Sequence, residues 1–138
     1  MDIRKFLFGG DTRQMVYKSL DASVLRGKVI SQNLANIQTP GYQRKEVNFE
    51  EQLQNARKAK LDAFNTQEGH MPGGKGLDLT KISPFVFEAK DETLPGEINN
   101  VDVDMEAAKM AENQIYYSYL TNFVGFDKLK SAISGQGR

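Results

Sequence analysis

Ser31 to Tyr42 reads S-Q-N-L-A-N-I-Q-T-P-G-Y. Pro40 biases Thr39 away from the helical region and stops any helix arriving from upstream. Gly41 permits a sharp change of direction, and Tyr42 brings a ring with a polar tip suited to anchoring. Asn33 and Asn36 stand about one helical turn apart, presenting amides that both donate and accept hydrogen bonds. Taken singly, these features describe an ordinary helix stop followed by a turn. Together they say that a long helix ends here and that the chain leaves it in a defined direction.

Upstream, residues 12–35 carry the pattern of that helix. Val16, Leu20, Val24, Ile30 and Leu34 recur at spacings close to three and four, with Gly27 and Ser31 on the same side. Asp11 or Thr12 is the expected cap, because a short oxygen-bearing side chain accepts a bond from a free backbone N–H. The helix would be about 36 Å long. Gly27 is costly inside a helix, by about 1 kcal/mol against Ala, and is either a point of close helix approach or a tolerated weakness.

Downstream, residues 104–133 form a second long helical pattern, with Asp102 or Asp104 as its cap. Met105, Ala108, Ile115, Tyr119, Phe126, Leu129 and Ile133 follow a heptad-like seam. Glu112 and Asn122 interrupt it, so a perfect two-stranded zipper is not specified. Tyr116, Tyr117, Leu120, Phe123 and Val124 lie off the seam, and such a broad apolar surface asks for more than one packing partner.

The stretch between the helices differs in kind. It holds Pro72, Pro84 and Pro95 and many of the glycines. A short helix is expected within 47–64, and Ser83 to Lys90 alternates like a strand with Phe85 and Phe87 on one face. The expected fold is mainly α: two long terminal helices packed as a coiled-coil-like hairpin, joined by an extended, loop-rich middle with a short helix and strand-like pieces. Three parts follow, 1–42 as N-terminal helix and turn, 43–100 as connecting arm, 101–138 as C-terminal helix.

Composition closes off several functions. Apolar residues are 39% of the 138, enough for a modest core, and there is no cysteine for a disulfide, a thiolate metal site or a nucleophile. The 18 basic and 18 acidic side chains balance. Residues 1–60 nevertheless hold 11 basic and 6 acidic groups, net +5, and residues 61–138 hold 7 and 12, net −5. Opposite-sign segments attract within a molecule or between neighbours in an assembly. No apolar run reaches the roughly 18 residues of a membrane span. Met1 to Gly10 lacks the apolar stretch of a secretory signal.

No enzyme emerges. Gly69 to Gly76, G-H-M-P-G-G-K-G, matches a phosphate-binding loop except at its last position, where Gly76 replaces the hydroxyl that holds magnesium. His70 is the only histidine and builds no zinc site alone. Asp102 and Asp104 resemble the start of a calcium loop, but the residues after them supply neither the next ligand nor the turn glycine. No metal and no cofactor are expected. Basic residues do not interleave with an aromatic platform, which argues against a nucleic-acid reader.

The segment from Ser31 to Tyr42 resembles the N-terminal signature of the bacterial flagellar rod and hook axial proteins, close to S-x-N-L-A-N-x-x-T-P-G-Y. N-N-V-D-V-D-M-E-A-A-K-M-A-E-N-Q-I-Y-Y, Asn99 to Tyr117, resembles the C-terminal helix start of the family's basal-body rod members. The short chain and uninterrupted T-P-G-Y favour a proximal-rod subunit over longer distal-rod or hook proteins, and argue against a FlgC-like proximal-rod paralogue. The resemblance implies a non-enzymatic structural subunit that assembles helically, transmits torque and encloses the export channel. It implies that Ser31, Asn33, Leu34, Ala35, Asn36, Thr39, Pro40, Gly41 and Tyr42 form an assembly motif. It also implies a periplasmic place in the basal body, reached through the flagellar export apparatus without a cleaved signal peptide. Implied partners are copies of the chain, other proximal-rod proteins, the rod adaptor FliE, the MS-ring and the export gate, with no nucleic acid and no membrane insertion. From another class, the competing reading is a soluble helical binding module or export chaperone.

Overall fold

The computed structural model describes residues 10–55, 82–89 and 98–135. Helix α1 runs Gly10–Ala35 and helix α2 runs Val103–Gly135. Between them, strand β1 (Lys45–Asn48) pairs antiparallel with β2 (Phe85–Glu88) in a register that sets Lys45 opposite Glu88 and Asn48 opposite Phe85. Residues 50–55 are helical, inside the span where a short helix is expected; the rest of that span lies outside the described residues.

The two long helices pack against each other as an antiparallel hairpin. Near one end of the hairpin the Asn33 amide meets Glu106; further along Ser23 meets Asn113; at the far end Arg13 Nε stands 3.0 Å from Asp127. Gly27 allows this approach: a β-carbon there would sit 3.3 Å from Asn113 Nδ2. Among the described residues no helix is long and apolar enough to cross a membrane.

The ends of the helices follow local chemistry. Asp102 caps α2, its Oδ1 accepting from the backbone N–H of Asp104 at 2.8 Å and of Met105 at 3.2 Å. Asp104 and Glu106 add negative charge to the first turn, at the positive end of the helix dipole. At the start of α1 the expectation fails. Asp11 and Thr12 lie inside the helix, which begins earlier than a cap at either would allow.

The apolar core is small and does not belong to the helical pair alone. Ala22 of α1, Phe49 after β1 and Ile82 before β2 are buried together, with Met15 and Leu53 packed on them. The connecting segment therefore contributes to the core in place of simply spanning between helices. Lys18 donates its ammonium to the carbonyl of Ile82, and Arg26 pairs with Glu50 at 2.6 Å, tying the same segment to α1.

Candidate assembly junction

Helix α1 ends in a series of tightening turns. Asn36 N–H is shared between the carbonyls of Gln32 and Asn33, and Thr39 N–H reaches the carbonyl of Asn36 at 2.9 Å. Gly41 then takes a φ of 71°, in the region that a β-carbon disfavours. This swing brings Tyr42 back under the helix, where its hydroxyl donates to Asn33 Oδ1 at 3.2 Å.

Asn33 is the centre of the junction. It is 0% exposed, and its amide is fully used. Nδ2 donates to the Lys45 carbonyl at 2.8 Å and to Glu106 Oε2 at 3.0 Å, while Oδ1 accepts from Lys45 N–H at 3.0 Å as well as from Tyr42. One side chain thus joins the end of α1, the first residue of β1 and the first turn of α2. A buried polar group is tolerable only when satisfied in this way.

Two neighbouring asparagines close the same corner. Asn99 Nδ2 lies 2.8 Å from the carbonyls of Asn36 and Ile37 and 3.0 Å from that of Thr39, covering the carbonyl end of α1. Asn100 accepts from Arg44 N–H at 2.6 Å and donates to the Ala89 carbonyl at 2.7 Å, fastening the strand pair to the start of α2.

Charge surrounds this polar knot. Arg44 pairs with Glu46 at 3.0 Å and approaches Glu106 Oε1 at 3.7 Å, and Lys109 donates to Glu46 at 2.6 Å. Burial alone would raise the Glu46 pKa, but the hydrogen bond and charge of Lys109, aided by Arg44, outweigh it and hold the carboxyl below its ordinary value. Burial raises the Tyr42 phenol above its ordinary value, with Glu106 and Glu88 adding to the effect, so the hydroxyl keeps the proton it donates. Glu106 is 1% exposed, and its Oε1 has no hydrogen-bond partner.

The motif residues are therefore brought together unequally. Asn33, Tyr42 and the Gly41 turn form the knot. Asn36 stays half-buried, donating to the Gln32 carbonyl and accepting from Thr39 Oγ1. Ser31 is exposed and bonds back to the Gly27 carbonyl; Ala35 and Pro40 are exposed, and Leu34 is half-buried. Asn99, Asn100, Arg44 and Glu106 are junction residues that the sequence pattern does not single out. The N-N doublet just ahead of the Asp102 cap is the signal for the first two.

Within the single chain the helix-packing positions divide between covered and uncovered faces. On α1, Ile30 is buried, Val16, Leu20 and Gly27 are partly buried, and Val24 is 60% exposed. On α2 the seam of Met105, Ala108, Ile115, Tyr119, Phe126, Leu129 and Ile133 is exposed throughout, Ile115 at 73%. The residues facing α1 are instead Glu106, Asn113, Leu120 and Asp127, repeating every seven positions. Ser23 donates to Asn113 Oδ1 at 2.9 Å, and Asn113 Nδ2 returns a bond to the Ser23 carbonyl at 3.0 Å. The apolar rhythm of α2 marks its outward face, because hydrogen bonds and ion pairs fill the inward one.

Asp102 is a helix cap, and no cluster of three potential metal ligands occurs among the described residues. Gly69 to Gly76, with His70 and Lys75, lies outside them.

An antiparallel pair of long helices is thus locked at one end by an asparagine-centred turn and left apolar on its outer side. No family model matches the chain. Curated relatives do. A flagellar basal body rod protein FlgB of Borreliella burgdorferi is 34% identical over 110 residues, covering 77% of this chain and 82% of the relative. FlgB of Bacillus subtilis is 33% identical over 131 residues, covering 94% and 97%. FlgB of Escherichia coli is 27% identical over 124 residues, covering 86% and 82%. The chain belongs to the FlgB family of flagellar basal body rod proteins. Its role is that of a structural component of the basal body rod.

Proposed function

We propose that the chain is a non-enzymatic subunit of the proximal rod that stacks helically with its own copies, carries torque along the shaft and encloses the path of exported chains. The reading extends to a periplasmic location reached through the flagellar export apparatus without a cleaved signal peptide, and to contacts with other proximal-rod proteins, the adaptor FliE, the MS-ring and the export gate. Residues 1–42 and 101–138 act as the stacking segments and 43–100 as the arm between them. Ser31 to Tyr42 sets the angle at which the arm leaves.

One observation carries the proposal. The apolar seam of α2 faces away from α1 along most of the helix, so the surface best suited to adhesion is left over for neighbours. The polar inner face supports the same reading, since it fixes how the helices align without consuming that surface.

The test is incorporation. Ile115→Asp and Phe126→Asp each put a carboxylate on the outer seam, where burial against a neighbour would leave it unpaired at a cost of several kcal/mol. Both variants are expected to leave the cytoplasm yet be missing from purified basal bodies, with motility lost. Normal incorporation of both would remove the seam as an assembly surface.

A further inference from the structure

An open groove of about 520 Å³ runs along the α1–α2 pair, lined from α1 by Ser23, Val24, Gly27 and Ser31 and from α2 by Tyr117 and Ser118 among others. No acidic or basic side chain lines it, in a chain that is 26% charged. Half the residues lining the larger groove between α1, β1 and α2 are charged, so the contrast is local. The hydroxyls of the smaller groove already donate within the chain: Ser23 to Asn113 Oδ1, Ser31 to the Gly27 carbonyl and Ser118 to the Gln114 carbonyl. Gly27 and the three serines keep its lining small, while Val24 and Tyr117, 60% and 42% exposed, leave apolar surface open. The groove thus has room for bulky side chains and offers no ion-pairing group to a charged one.

We propose that this groove receives the apolar seam of α2 from a second copy of the chain, head to tail. Ile115, Tyr119 and Phe126, 73%, 68% and 62% exposed, supply the bulk that the small lining accommodates. The seam matches the groove in charge as well, since Ala108, Ile115, Tyr119, Asn122, Phe126 and Leu129 carry none. A ridge of large side chains set into a groove between small ones is how packed helices interlock. The two surfaces are separate on each copy. Gln114 and Ser118 of the groove directly precede Ile115 and Tyr119 of the seam, so each lies about 100° around α2 from its neighbour. A contact between two different patches leaves every copy a seam and a groove for further copies, and it therefore repeats into a ring or a helix. Seam-on-seam pairing about a two-fold axis stops at two chains and leaves both grooves empty. The inference rests on the rod reading for its supply of aligned copies, and adds to it the surface that receives the seam.

The chain has no cysteine, so single introduced cysteines report the contact in full-length protein. Val24→Cys in one tagged chain, and Ile115→Cys, Tyr119→Cys or Phe126→Cys in a differently tagged one, are co-expressed with wild-type chain. Purified basal bodies are then mildly oxidised. With one cysteine per chain, no disulfide can close within a molecule. The expected product is a mixed disulfide between Val24→Cys and at least one seam cysteine, severalfold above that with Glu51→Cys, which is exposed on the connecting segment. Filling the groove with Ser118→Trp from α2, or with Ser31→Trp from α1, in the Val24→Cys chain should cut the yield per incorporated chain severalfold. Both serines are exposed, so thermal unfolding of the purified variants should match wild type. Yields no higher than with Glu51→Cys, seam-to-seam disulfides exceeding the mixed product, a stronger product with Phe6→Cys, or no effect of either tryptophan would each overturn the proposal. Wild-type chain present in basal bodies without the mixed product sinks the groove contact and leaves the rod reading standing. Wild-type chain absent from basal bodies sinks the rod reading, and the same oxidation of concentrated purified chains then decides the groove contact by itself.

Discussion

The two faces of α2 carry opposite chemistry, and opposite to what a solitary hairpin needs. Toward α1 it offers Glu106, Asn113 and Asp127 with one leucine, and away from α1 it offers Ile115, Tyr119, Phe126, Leu129 and Ile133. Hydrogen bonds are directional but contribute only about 1 kcal/mol each net, while apolar burial is adhesive and indifferent to register. The inner face therefore aligns the helices, and the outer face holds the greater potential for adhesion. Strength and alignment reside on different sides of one helix.

The largest effect expected from breaking the inner face is at Asn33. Asn33→Leu leaves Glu106 Oε2, both polar groups of the Lys45 backbone and the Tyr42 hydroxyl without their partner, at about 1–3 kcal/mol per stranded group. A loss of about 3 kcal/mol or more should appear in urea unfolding followed by circular dichroism. Asn36→Ala, one turn away and half-buried, should cost less than a third as much; equal costs would show that Asn33 is no special hub.

Further along the same face, Asn113→Ala removes the reciprocal pair with Ser23 and should cost about 1 kcal/mol or slightly more. The same urea titration reads it.

A smaller effect should follow acidity. Glu46 has its pKa lowered in the folded chain, so its contribution is present above the unfolded value of about 4.5 and is lost as pH falls through the folded one. Stability should decline on that acid limb, and Glu46→Gln should flatten part of the decline while leaving neutral stability slightly lower. The pair is partly exposed, so added salt should shrink the difference. An unchanged limb in the variant would show that Lys109 does not depend on Glu46 charge.

The smallest effect belongs to the outer face of the isolated chain. Phe126→Asp and Leu129→Asp should move its unfolding by no more than about 0.5 kcal/mol, because both side chains are already mostly exposed. A large loss in dilute chain would contradict the division between aligning and adhesive faces.

How far the sequence could be read depends on the same division. The helices were legible because Pro40 stops one and Asp102 caps the other, and both lie where spacing puts them. Gly41, with its φ of 71°, and Tyr42, bonded to Asn33, behave as a turn glycine and an anchoring ring should. The partner-facing side of α2 was not legible. Periodicity detects apolar side chains, and Glu106, Asn113 and Asp127 read as a solvated stripe until their partners on the other helix are known. The junction escapes for a related reason: Asn99 and Asn33 lie more than sixty residues apart, and no local pattern links an amide to carbonyls that distant. Seven-residue spacing of the inward positions is visible afterwards as a polar heptad.

The Asn99 amide that covers three carbonyls near the end of α1 has a consequence in time. Those carbonyls belong to Asn36, Ile37 and Thr39, 60 to 63 residues earlier in the chain. A polypeptide made from its N-terminus presents that helix end long before its cover exists. Until residue 99 has emerged, the Asn36 and Thr39 carbonyls have only the local N–H groups of Thr39 and Tyr42 beside water, and closure by Asn99 then requires a long loop to be drawn in. The end of the first helix thus goes without its side-chain cover from the time residue 39 is made until residue 99 follows it, and the corner that sets the arm's direction is completed late.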